Sequence, residues 1–158
     1  MMAQYRTKYF NIKELVNPTL LKKIGEKTAW TLFDPELLKA ADAIREKYGP
    51  MTINTKDLTD CGLRDPLSTT GAKYSMHKIA RALDGHVVSV ELAAAKIKDP
   101  VQRRKYKASE YNRIRTELLA EPSKFGRLNF ERASKDYPDG IPWLHFDTGN
   151  RPSPLFDA

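Results

Sequence analysis

Between residues 34 and 50 the apolar positions recur with a helical period. Leu37, Leu38, Ala41, Ile44 and Tyr48 fall on one face. Asp34 offers a side-chain cap, Pro35 suits the first helical position, Gly49 supplies a stop and Pro50 forbids continuation. The pattern predicts a helix over Asp34–Tyr48. A second long helix is predicted over Arg103–Leu119, where Tyr111, Ile114 and Leu118 lie near one face with charges opposite. Shorter helical pieces are expected at Asn11–Val16, at the apolar stretch Leu20–Ile24 beyond the Pro18 break, and at Glu91–Lys98.

Other parts of the chain follow a two-residue period. Trp143–Asp147 alternates, placing Trp143, His145 and Asp147 on one side of a strand and Leu144 and Phe146 on the other. Ala80–Val90 is a run of small and large apolar residues expected to enter the core as a strand, and Met51–Asn54 reads as a short one. Thr55–Tyr74 reads as an irregular loop, and Pro122–Asp139 as a polar one with a short element at Leu128–Phe130. The proline-containing tail, residues 151–158, is expected to be loosely held. These elements predict an α+β fold, with helices packed on one side of a small, mostly antiparallel sheet. One domain over residues 1–158 is expected, its core at about 9–150.

Composition adds bounds. A chain of 158 residues can bury one core. No apolar run approaches the ~20 residues needed to cross a bilayer, so membrane insertion is not expected. The N-terminal MMAQYRTKYF is polar and lacks the apolar region of a secretory signal. Synthesis in the cytoplasm is therefore expected, and action beyond the membrane would require release by other means. The lone Cys61 excludes an internal disulfide and a multi-cysteine metal site. The net charge of +7 favours polyanionic partners without choosing among nucleic acid, a membrane surface and an anionic cell wall. The densest basic run, Arg103–Lys107, is read as a solvated helix face; no helix-turn-helix, zinc-finger or aromatic RNA-binding motif accompanies it, so nucleic acid is not the expected partner. A monomer is expected.

The candidate chemistry lies with the histidines, of which there are 3. His77 falls in Ser75-Met-His77-Lys-Ile-Ala80-Arg-Ala82-Leu-Asp84, and His145 in Trp143-Leu-His145-Phe-Asp147-Thr-Gly149. Imidazole and carboxylate are the ligands zinc takes when thiolates are lacking, and three protein ligands leave a fourth position open for chemistry. His77 and Asp84 are too far apart for one helix face, but a turn followed by a strand could bring them together. Asp147 shares the face of His145 and could orient it or take a proton. Asp84-Gly85 could instead simply open a turn, and His86 is read as a turn histidine facing solvent. Trp143 could stack on substrate or pack the core.

Ser75–Asp84 resembles the Ser-x-His-x-x-Gly-x-Ala-x-Asp signature of the zinc D-alanyl-D-alanine carboxypeptidases and related phage endolysins. His145-Phe-Asp147-Thr-Gly149 resembles their closing His-x-Asp motif. Phe10-x-x-x-Glu14-Leu15 resembles the family's N-terminal helix, Leu37–Tyr48 its long helix, and Cys61-Gly62-Leu63-Arg64-Asp65-Pro66 its Gly-Tyr-Arg-Ser-Pro turn. The matches run in family order over roughly residues 9 to 150. The resemblance implies that His77, Asp84 and His145 hold one zinc ion, that Arg64 aligns substrate, and that Ser75 lies where a hydroxyl meets it. The implied activity is hydrolysis of peptide bonds in the stem peptide of bacterial peptidoglycan, as in a phage-type lysin acting after release or on the virion.

Two departures bear on that expectation. Ala80 stands where the family has glycine, a change that is costly if the backbone there has positive φ. Pro142 stands where several relatives carry an acidic base, leaving Asp139 and Asp147 as the candidates. The rival expectation is a non-catalytic wall- or virion-associated module that keeps the fold and the metal.

Overall fold

The computed structural model describes residues 4–158. Part of the polar N-terminal stretch, residues 1–3, lies outside the described residues. The chain is α+β, with a small mixed sheet of five strands in the order β1-β2-β4-β3-β5. These strands are β1 (Met51–Thr52), β2 (Ala82–Val87), β3 (Asn129–Ala133), β4 (Leu144–Asp147) and β5 (Leu155–Asp157). Three pairings are antiparallel, and β5 runs parallel to β3.

The first helices are α1 (Ile12–Leu15), α2 (Pro18–Ile24), α3 (Glu26–Leu32) and α4 (Pro35–Tyr48). In α4 the Asp34 carboxylate accepts from the Glu36 amide, and the Gly49 amide closes the last turn on Arg45. Its apolar face enters the core through Leu37, Leu38, Ala41 and Ile44, as the periodicity requires. After β2 come α5 (Val88–Ala95), α6 (Pro100–Leu119) and α7 (Pro122–Phe125). Helix α6 begins at Pro100, earlier than the apolar periodicity indicates, because Asp99 caps it before its buried face starts.

Several expectations are corrected. The strand expected over Ala80–Val90 ends at Val87, and the chain turns directly into α5, whose Val90 is buried. The strand expected over Met51–Asn54 is confined to Met51–Thr52, because Asn54 turns its side chain onto the amides of Cys61 and Gly62. The polar stretch 122–139 contains α7 and β3 as well as loop. The tail is not loose: β5 pairs with β3, and Leu155 packs against the core. Among the described residues no helix is long and apolar enough to cross a membrane. The basic run is partly tied down, since Arg103 donates to the carbonyls of Ile97 and Lys98 and Lys107 pairs with Glu91.

One buried cation fixes the entry to β4. Arg115 of α6 is 1% exposed and donates to Asn112 and to the carbonyls of Ile141 and Trp143, just before the strand begins. Burial lowers its pKa to about 10, which leaves it charged at neutral pH. Truncation would take this donor from the buried Ile141 carbonyl and the part-buried Trp143 carbonyl, so Arg115→Ala is expected to cost about 3 kcal/mol. Urea unfolding of the purified variant measures this; a loss below about 1 kcal/mol would contradict the pinning role.

Candidate metal centre

The pairing of β2 with β4 sets Asp84 directly opposite His145. Leu144 and Phe146 are fully buried in the hydrophobic core, so alternation turns His145 and Asp147 to the opposite face. His77 arrives from a different direction. A single 3-10 turn, Met76–Ile79, is capped by Ser75, whose hydroxyl accepts from the His77 amide. The chain then reverses at Ala80 in the left-handed region and enters β2. Asp84-Gly85 is therefore strand rather than turn. His86 is no solvent-facing turn residue either: it is half-buried on β2 and lies 3.5 Å from Glu91.

The three side chains converge. One ligand atom from each of His77, Asp84 and His145 can be chosen so that all lie within 4.8 Å of one another, and all three residues are buried. His77 Nε2 is 3.3 Å from Asp84 Oδ2, and His145 Nδ1 is 2.8 Å from Asp84 Oδ1. The outward nitrogens are engaged as well. His77 Nδ1 is 3.0 Å from the Gly62 carbonyl, which requires an N–H there and leaves the Nε2 lone pair facing Asp84. His145 Nε2 is 3.2 Å from Asp147 Oδ2, so donation there leaves Nδ1 facing inward. Each imidazole thus has a fixed partner behind it, the arrangement that orients metal-bound histidines. By this test the residues fit a metal: a His/Asp/His group, two lone pairs and a carboxylate aimed at one point.

Close backbone approach places the His77 partner. A Cβ at Gly62 would collide with the Leu15 carbonyl, and the Leu63 amide donates to that same carbonyl at 2.7 Å. Asn54, behind this segment, holds the amides of Cys61 and Gly62. Cys61 itself is an inert core thiol, because burial pushes it up to about 12.

The charge distribution is that of a desolvated site. Burial alone would raise the Asp84 carboxyl, but His77 and His145 outweigh it and hold the group well below the usual carboxylate range. Burial lowers His77 despite the neighbouring Asp84, keeping its imidazole neutral. For His145 burial is also the largest influence, yet Asp147 and Asp84 on either side overcome it and raise the imidazole to about 9.

Arg64 is buried at the rim and donates to the carbonyls of Asp60 and Thr70 and to Asp84 Oδ2 at 3.3 Å. Ser75 lines the same cleft. Asp147 is beside the centre but saturated: it accepts from Asn129, the Gly149 amide and Arg151 besides its contact with His145. That leaves it no free lone pair for a substrate proton, so of its two candidate roles it fills the orienting one. Asp139 is not brought to the centre; it is exposed in a separate hollow with Arg104 and Lys105 of α6.

Two residues of the cleft escaped the sequence reading. Glu131 of β3 lines it beside His77, Asp84 and His145. Burial, opposed in part by His145 and reinforced by Asp84, pushes the Glu131 carboxyl up. The signal was present in alternation: Phe130 is buried in the core, so the next residue faces the cleft. Arg151, after β4, lies on the cleft wall with Nε 2.8 Å from Asp147 and its guanidinium 3.7 Å over the Phe156 ring. Comparison with family models, with curated proteins and with solved structures returns no match.

His145 is raised above its ordinary value of 6.5, so its protonated form is favoured by folding below that pH and the benefit is lost as pH rises through about 9. A metal must displace that proton. With zinc as the probe metal, binding at this group should therefore release about one proton per ion at pH 7, with apparent affinity rising about tenfold per pH unit until it levels near 9. Calorimetry in buffers of differing ionisation enthalpy reads this; pH-independent binding would contradict it. Ala80 has φ 55° and is 1% exposed, so relief of strain in Ala80→Gly is offset by a lost methyl and added chain entropy. That variant should stay within about 1 kcal/mol of the parent in urea unfolding, while Ala80→Val, β-branched at positive φ, should lose about 2 kcal/mol. Equal stability of all three would exclude strain at Ala80.

Proposed function

We propose that the chain is a zinc-dependent peptidase that hydrolyses peptide bonds of bacterial peptidoglycan, as in a phage-type lysin. The observation that carries this reading is the meeting, in one cleft, of an oriented His77/Asp84/His145 group with the half-buried carboxyl of Glu131. The motif resemblance supplies the substrate class.

Bound at the three ligands, zinc supplies Lewis acidity to a water and to the scissile carbonyl. Glu131 is the proposed base: burial pushes its carboxyl up, which makes it a stronger proton acceptor than an ordinary glutamate. It takes the proton of the attacking water and delivers it to the departing amine. Its position on β3 replaces the acid that Pro142 lacks, which weighs against the non-catalytic alternative. Arg64 holds Asp84 by an ion pair and keeps further N–H donors for a substrate carbonyl or carboxylate. Ser75 offers a hydroxyl hydrogen at the same wall.

The zinc-loaded protein should release new amino groups from purified peptidoglycan, a chelator should abolish this, and added zinc should restore it. His77→Ala should lose both zinc and activity. Glu131→Gln should lower kcat by about 10²–10⁴-fold while still binding one zinc per chain. Full activity in chelator would sink the reading. Zinc bound at one equivalent with no new amino groups from any wall preparation would favour the wall-associated module instead.

A further inference from the structure

His77 and Asp84 are backed by the loop that precedes them in the chain, His77 by the Gly62 carbonyl and Asp84 by Arg64. The backing of His145 comes from the chain that follows it. Asp147 Oδ1 accepts from Asn129 and the Gly149 amide, so the oxygen turned to His145 is Oδ2. Among the described residues the other partner of Oδ2 is Arg151, whose Nε donates to it at 2.8 Å. The Arg151 guanidinium lies 3.7 Å over the Phe156 ring. That ring in turn stands at 89° to the His145 imidazole, with centroids 6.0 Å apart. His145, Asp147, Arg151 and Phe156 thus close a circuit of contacts around the outer side of the third ligand.

Phe156 belongs to a lightly held element. Strand β5 has 3 residues, lies at the edge of the sheet and pairs with β3, where Glu131 stands opposite Phe156. Its other fastenings are the contact of Leu155 with the core and the ion pair of Arg132 with Asp157. That pair joins Nε and one terminal nitrogen of the guanidinium to the two carboxylate oxygens, on exposed surface. A short edge strand secured by an exposed ion pair opens locally more easily than the core does.

We infer that Arg151 and Phe156 are positioning residues of the metal centre and that β5 is its strap, so that metal binding and the seating of β5 are coupled. Seated, β5 holds Asp147 and His145 in the ligating arrangement; released, it frees both. Neither positioning residue aims a lone pair at the metal. Arg151 acts through Asp147, fixing the carboxylate that orients the imidazole. Phe156 acts through Arg151 and through the imidazole itself. Loss of a partner behind a ligand costs ~10–100-fold in metal affinity, and the strap is worth a factor in that range. Reciprocity then requires the metal to tighten β5 by the same factor, although none of the three ligands lies on it. The inference rests on the metal reading of His77, Asp84 and His145 and is independent of the substrate.

Calorimetric titration of the metal-free protein with zinc should give binding weaker than the parent's by about 10–100-fold for Arg151→Gln. Arg151→Lys, which keeps the cation but not the planar fork, should lose less. Phe156→Leu keeps apolar bulk but not the face beneath the guanidinium, and should lose about tenfold. Hydrogen–deuterium exchange read by mass spectrometry should show zinc slowing the amides of residues 155–158 by about tenfold in the parent and much less in Arg151→Gln. Arg132→Gln, whose side chain touches neither ligand nor Asp147, should speed those amides about twofold to fivefold in the metal-free protein, and zinc should slow them again. This last variant carries the test where a cleft variant does not fold. Zinc affinity within about twofold of the parent in folded Arg151→Gln and Phe156→Leu, or exchange at 155–158 indifferent to bound zinc, overturns the strap and leaves the metal reading standing. A parent chain that takes up no zinc overturns both.

Discussion

The Asp84 carboxylate carries its charge into a place only 8% exposed, and much of the chain is arranged around making that tolerable. An unpaired carboxylate at such depth is costly, whereas one surrounded by donors and cations is not. Arg64 from a loop and His145 from a neighbouring strand supply the cationic donors, and His77 reaches it from a 3-10 turn. Behind each stands a further partner: the Gly62 carbonyl for His77, Asp147 for His145, and the Asp60 and Thr70 carbonyls for Arg64. A metal ion placed among them would extend the same logic by adding a cation beside the buried anion.

This dependence explains why distant segments are held with care. Arg115 pins the approach to β4 from α6, and Asn54 and the tight Gly62 contact pin the loop behind His77. Asp34 caps α4 and also accepts from Thr148, joining the first long helix to the end of β4. A shift of one residue in the β2–β4 register would turn Asp84 away from His145 and bury the wrong faces of both strands.

The long helices, β4 and the ligand trio were legible in the sequence because one-sided burial writes a periodic pattern, and because the trio lies in two compact motifs. Strands β3 and β5 were not, since each is short and becomes a strand only by pairing with distant chain. Glu131 and Arg151 were missed for the same reason. Alternation next to the buried Phe130 sets the face of Glu131, but which strand lies beside β4, and where the loop leaving β4 runs, decide that this face is the cleft. Asp139 looked suitable by proximity in sequence, yet the loop before β4 carries it out to α6 and solvent.

The central claim is that His77 Nε2, Asp84 and His145 Nδ1 hold one zinc ion. Anomalous diffraction at the zinc edge from zinc-loaded crystals tests it most directly. The account predicts a single peak at about 2.0–2.2 Å from those three donors, with Gly62 and Asp147 still bound to the far nitrogens of the histidines. A peak elsewhere, or none at these side chains, would contradict it.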